Sequence, residues 1–172
     1  VRLPDEVPVF VLRGGRAEGR ALPAIEPGAS LAAWRAVVTG GPFLVRTEAT
    51  GASRLALVRR LATVGEVWLD ADAGSVGEAL DLLVAGASRL RVHPGDADLV
   101  YAVGPSCLLV WTGEDAWDAV QALALEQASP VLAEAEVPPG AACDAFRFEA
   151  GRLVRIASAP ATEDGEDGEE GE

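Results

Sequence analysis

The chain predicts an α/β fold in which about six parallel strands alternate with five helices, closed off by a C-terminal hairpin. Three observations carry this expectation. Short apolar runs recur at 8–12, 43–46, 67–69, 90–92, 107–111 and 131–133, each of strand length, and segments with helical spacing fill the gaps at 30–38, 53–64, 75–85, 97–103 and 115–126. Parallel strands need crossover connections of this kind, so the alternation implies a parallel sheet. Residues 67–93, VWLDADAGSVGEALDLLVAGASRLRVH, show one complete strand–helix–strand unit. After residue 133 the cadence breaks, and no further helix fits.

Within the 67–93 unit, Ser75-x-x-Glu78 forms a capping box, in which a hydroxyl and a carboxylate satisfy free amides at a helix start. Gly86 supplies the stop. Val76, Ala79, Leu80, Leu83 and Val84 make one apolar stripe, expected to pack on the sheet. Leu55, Val58, Leu61 and Ala62 play this part in the second helix, leaving Arg54, Arg59 and Arg60 in water; Trp117, Val120, Leu123 and Ala124 do so in the fifth. Beyond the sixth run, VPPGAACD is a loop, and 146–149 and 152–156 flank Ala150-Gly151 as a hairpin or a pair of edge strands. Residues 1–159 are expected to form a single domain. Residues 160–172, acidic and without apolar anchors, are expected to be a disordered tail.

At 172 residues, 49% of them apolar, the chain is long enough for one well-buried domain. All 14 basic residues are arginine, so Schiff-base lysines, pyridoxal phosphate aldimines and Walker-type phosphate lysines are excluded. His93 is the only histidine, which leaves no multi-histidine metal site within one chain. A net charge of −13 repels nucleic acid and anionic membranes. Cys107, in an expected strand, and Cys143, in a late loop, lack metal or disulfide spacing and read as free thiols of a cytoplasmic protein.

Ligands of parallel α/β proteins meet the C-terminal ends of the strands. Those ends carry Arg13, Gly14 and Gly15; Arg46 and Glu48; Asp70 and Asp72; His93, Gly95 and Asp96; Thr112 and Glu114; and Glu134 and Glu136. Asp70 and Asp72, two apart, share one face, which suits a divalent cation or an acid/base pair; a solvated pair drawn to the following helix N-terminus is the alternative. His93 suits a proton carrier with Asp96 setting its tautomer, against a plain surface histidine. Arg13-Gly14-Gly15-Arg16 suits an anion cradle, against a tight turn with solvated arginines.

PVFVLRGGR at 8–16 resembles the opening strand and turn of the histidine-biosynthesis (HisA/HisF-type) ribulose-phosphate-binding barrels. VWLDADAGSVGEALDLLVAGASRLRVHPGDADLV is similar to their third strand, helix and fourth strand. The resemblance implies a (βα)n TIM-barrel-like sheet and a small phosphorylated or anionic metabolite as ligand. Three departures matter. The family's catalytic aspartate falls at Val11 and its second acid near Trp111, neither of which exchanges protons. Carboxylates at Asp70 and Asp72 replace the phosphate-binding glycine run, and His93-Pro94-Gly95-Asp96 replaces a small Gly-Thr step.

A full barrel usually takes about 250 residues. The sheet is therefore expected to be shortened or open, with a homodimer or a partner subunit covering its edge. The leading functional expectation is a binding or accessory subunit without ribotide isomerase activity. A sugar-phosphate isomerase or lyase is the alternative, with Asp70, His93 and Asp96 catalytic, Asp70 and Asp72 on a divalent cation, and Arg13, Gly14 and Gly15 on the ligand. A purely structural interaction module is the third.

Overall fold

A computed structural model describes residues 2–13, 16–19, 22–25, 35, 38, 40–113, 116–134 and 136–160. The expected helix at 30–38 and the acidic tail beyond residue 160 lie outside them, apart from Arg35 and Val38. In chain order the elements are β1 (Glu6–Arg13), β2 (Arg16–Gly19), β3 (Leu22–Ile25), β4 (Pro42–Thr47), α1 (Gly51–Leu61), β5 (Glu66–Asp70), α2 (Val76–Ala85) and β6 (Ala87–Val92). They continue with α3 (Ala97–Val103), β7 (Leu108–Trp111), α4 (Trp117–Glu126), β8 (Val131–Ala133), β9 (Ala145–Glu149) and β10 (Arg152–Ala157). Among the described residues no helix is long and apolar enough to cross a membrane.

The sheet closes. From β1 through β4, β5, β6, β7 and β8 to β9 every neighbour is parallel, and β10 then runs antiparallel to both β9 and β1. The result is an eight-stranded barrel, not the open or shortened six-stranded sheet expected from length. Its economy has a local cause: a parallel strand needs a long crossover, whereas an antiparallel one needs only a hairpin turn. Ala150, with φ 51°, and Gly151, with φ 88°, make that turn between β9 and β10. The edge that was expected to need a second copy is thus paired within the chain. Along the C-terminal half of β1, β2 and β3 add an antiparallel extension, in which Val11 pairs with Glu18 and Ala17 with Ile25. RAEG has no apolar run, and the four-residue LPAI, interrupted by proline, was not among the expected strands.

Strand alternation divides the apolar residues into two clusters. One lies between barrel and helices, where Phe10, Phe43, Val45, Leu69, Leu90 and Val110 meet Val58, Leu61, Leu82 and Val120. The other fills the barrel: Val7, Val9, Leu44, Trp68, Leu109, Leu132, Phe146 and Leu153, from every barrel strand except β6. On β6 the inward positions hold Arg89 and Arg91 instead.

Arg89 stacks over Trp68, 5.4 Å from the ring centre, and Nη1 donates to the Leu108 carbonyl at 3.2 Å. Burial lowers its pKa, and Glu66, Cys107 and Asp144 oppose that shift. At the opposite end from the strand C-termini, Arg155 ties β10 to the segments that lead into β1 and β9. Its Nη1 donates to Asp144 at 3.1 Å and its Nη2 to the Pro4 carbonyl at 3.0 Å.

The Ser75 cap forms as expected, its Oγ accepting from the Glu78 amide at 3.1 Å. Glu78 reaches back to the Gly74 amide at 2.8 Å. Gly86 ends α2 at φ 112°, and a Cβ there would lie 2.5 Å from that of Ala62, so both conformation and packing demand glycine. Two helix faces differ from expectation. On α2 the residues turned to the sheet are Ala79, Leu82 and Ala85, while Val76, Leu80 and Val84 face solvent. On α1, Arg54 is buried, not wet, because it bridges three groups described below.

Both cysteines are free, with Cys107 partly exposed just before β7 and Cys143 buried. Burial, with the charge of Asp144 adding to it, pushes the Cys143 thiol up to about 11. At pH 8 it should therefore carry on the order of a hundredfold less thiolate than a free cysteine. Iodoacetamide is expected to label it only after denaturation, a contrast that mass spectrometry reads directly. The unfolded thiol ionises near about 8.5 and the folded one later, so between these values the unfolded chain binds fewer protons. Stability from this group is complete below the window and falls as pH rises through it.

Candidate functional site

At the C-terminal ends of the parallel strands the barrel opens into a cavity of about 350 Å³, lined by Val11, Leu12, Arg46, Thr47, Glu48, Asp70, Arg91 and Glu134. Register explains the assembly. Val11 pairs with Arg46, Arg46 with Asp70, and Leu69 with Leu90, which puts Arg91 beside Asp70 on the next strand. The parity that sends Leu44 and Trp68 into the barrel sends Arg46 and Asp70, two residues on, to its mouth.

Asp70 is the hub. Its side chain is 2% exposed, and it accepts from Arg46 Nε through Oδ2 and from Arg91 Nη1 through Oδ1, the latter at 2.8 Å. Arg91 Nη2 also donates to Asp72 at 2.6 Å. Burial alone would lower the Arg91 pKa, but these hydrogen bonds and the two negative charges outweigh it and raise the value, so the guanidinium stays charged. Aromatic rings complete the setting. Arg91 lies 4.8 Å over Trp111, and Arg46 lies 4.8 Å over Phe148.

From outside the barrel, Arg54 holds the loop that carries Asp72. It donates to the Asp72 carbonyl at 2.8 Å, to the Ala49 carbonyl at 2.7 Å and to Glu78 at 3.1 Å. The loop after β5 is thereby linked to the starts of α1 and α2. On the far side of the mouth, the Glu134 amide donates to Thr112 Oγ1 at 3.0 Å, fixing the chain where Glu134 leaves β8.

Of the residues expected at the site, Asp70 and Asp72 meet, bridged by Arg91. A divalent cation bound between them would have to displace that arginine, since both Asp70 oxygens already accept from guanidinium groups. Among the described residues no three metal-type side chains converge. His93 stands 4.0 Å from Asp72, Nε2 to Oδ1, and edge-on to Trp111 at 4.3 Å between ring centres. Asp96 meets His93 through the backbone, its amide donating to the His93 carbonyl at 3.0 Å, and its side chain makes no cap bond to α3. Arg13 ends β1, while Gly14 and Gly15 lie outside the described residues.

Arg46, Glu48 and Glu134 were legible as strand-end groups, but Arg91 was not among them. The signal for it is the alternation Arg89-Leu90-Arg91-Val92-His93, in which the polar members share one face. Val11 lines the cavity at the position of the resembled family's first acid, and Trp111, at the second, carries Arg91. Compared with known proteins, the chain matches no family model and no curated sequence.

Proposed function

We propose that this chain is a divergent (βα)n TIM-type barrel of the HisA/HisF-like group, closed by eight strands in a short chain, which binds a small phosphorylated or otherwise anionic metabolite at its mouth. It acts as a binding or accessory subunit and lacks ribotide isomerase activity. The observation that carries the reading is the setting of Arg46. Its Nε is held by a buried carboxylate and its plane by Phe148, while Nη1 and Nη2 make no hydrogen bond to a described residue beside the cavity. A guanidinium oriented in this way meets a phosphate or carboxylate with two parallel hydrogen bonds at little entropic cost. Glu48 and Glu134 on the rim supply acceptors for hydroxyl groups of the same ligand. Apolar and indole side chains at Val11 and Trp111 support the absence of isomerase chemistry, because neither moves a proton.

Calorimetric titration with ribose 5-phosphate tests this. The wild-type chain is expected to bind, and Arg46→Gln to bind about tenfold more weakly or worse, as fits the loss of a charge-assisted hydrogen bond. Equal affinity for the two, or turnover of the ribotide by the wild-type chain, would overturn the reading.

The proximity of His93 to Asp72 favours one other reading, a sugar-phosphate isomerase or lyase. There Asp72 would orient His93 as the proton carrier. Turnover of a sugar phosphate lost in His93→Gln would support it; catalysis unchanged by that substitution would not.

A further inference from the structure

Helix α2 exposes apolar side chains in a regular row. Val76, Leu80 and Val84 repeat every fourth residue on its solvent side, and Val84 is 86% exposed. Helix α3 packs beside α2 and presents Tyr101 at 92% exposure. Spacing of four keeps the row on one face, so it forms a continuous strip. Isolated exposed apolar residues are ordinary, but a row of three on one helix, with a nearly fully exposed tyrosine on the helix packed against it, is the composition of a contact surface.

The charges around this strip select its occupant. Neither VGEALDLLVA nor ADLVYAV contains a basic residue, and Asp81, Asp96 and Asp98, exposed on or beside the two helices, outnumber the exposed Arg59 of neighbouring α1. A second copy of the chain, itself at −13, would bring like charge to like. We propose that α2 and α3 dock a cationic amphipathic helix of another protein, whose apolar residues lie on Val76, Leu80, Val84 and Tyr101 and whose arginines or lysines face the aspartates. This is the helix-on-groove mode of recognition, in which apolar anchors give affinity and flanking charge gives rate and selectivity. The surface is separate from the mouth and stands independently of the ligand proposed for it.

The probe is a synthetic helical peptide with leucine at i, i+3, i+4 and i+7 and lysine elsewhere, compared with a scrambled peptide of the same composition. The wild-type chain is expected to bind the amphipathic peptide at least about tenfold more tightly than the scrambled one, with affinity falling as salt rises. The double variant Leu80→Ser/Val84→Ser should lose that preference while keeping the wild-type melting temperature. Tyr101→Ser, at a nearly fully exposed position, repeats the test should the double variant unfold. Equal binding of the two peptides, or unchanged binding by the variants, would overturn the proposal. So would a wild-type dimer in sedimentation equilibrium that strengthens with salt and dissociates in Leu80→Ser/Val84→Ser, since the strip would then serve a second copy.

Discussion

Replacing Asp70 with alanine is expected to lower the free energy of unfolding by about 3 kcal/mol at neutral pH, read from urea denaturation. The carboxylate is almost wholly buried and serves two guanidinium groups. Without it, Arg46 and Arg91 face one another across the mouth as like charges. Removing one partner of a buried ion pair costs about 3–5 kcal/mol, because the charge left behind has lost both water and partner. The lower end applies because the Arg46 side chain keeps 32% exposure and water screens part of its charge. Asp72→Ala provides the contrast. Its side chain is 67% exposed, so its bond to Arg91 should contribute less than about 1 kcal/mol. Equal effects from the two substitutions would mean that Asp70 is not the hub of the network.

Trp68→Ala is the second large change, with an expected cost of about 4 kcal/mol. The indole has no exposed surface and meets Phe146 edge to face at 5.7 Å. Its Nε1 donates to Glu66 at 3.0 Å. It also supports the Arg89 guanidinium inside the barrel, so its removal opens a cavity and strips a buried cation of its aromatic face. A Trp68→Phe variant keeps most of the packing and should lose substantially less. If Trp68→Ala cost under about 1 kcal/mol, the barrel interior would not be the packed core described.

What the sequence conveyed follows the range of the interactions. The strands from β4 to β8, the helices between them and the hairpin at Ala150-Gly151 are written in local apolar runs, caps and turn residues, and they stand where expected. Closure is not written locally. It depends on β10 pairing with β1, where Val154 meets Glu6 and Arg152 meets Pro8 across nearly the whole chain.

The direction of α2 was ambiguous for another reason. Apolar residues surround most of that helix, and the small Ala79 and Ala85 with Leu82, not the larger stripe, fit against the sheet. Arg54 looked like a surface residue because two of its three partners, the Asp72 carbonyl and the Glu78 carboxylate, come from a loop and a helix 18 and 24 residues further along the chain.

At the site, the position of Asp70 at a strand end was legible from spacing, but its role was not. A carboxylate pair two residues apart reads as a metal site, an acid/base pair or a solvated pair before a helix N-terminus. What distinguishes these is the neighbour on β6. Arg91 occupies an inward strand position where apolar residues are the rule, and its presence turns the two aspartates toward holding guanidinium groups. The mouth then presents an anchored arginine, Arg46, where a metal or an acid/base pair had been the alternatives.

A crystal structure of the chain soaked with ribose 5-phosphate, at a concentration that saturates the calorimetric titration, tests the binding claim most directly. The phosphate group is expected within hydrogen-bonding distance of Arg46 Nη1 and Nη2, with Asp70 still held by Arg46 and Arg91 and the sugar hydroxyls toward Glu48 and Glu134. A phosphate seated away from the mouth, or a mouth without sugar phosphate at that concentration, would contradict it.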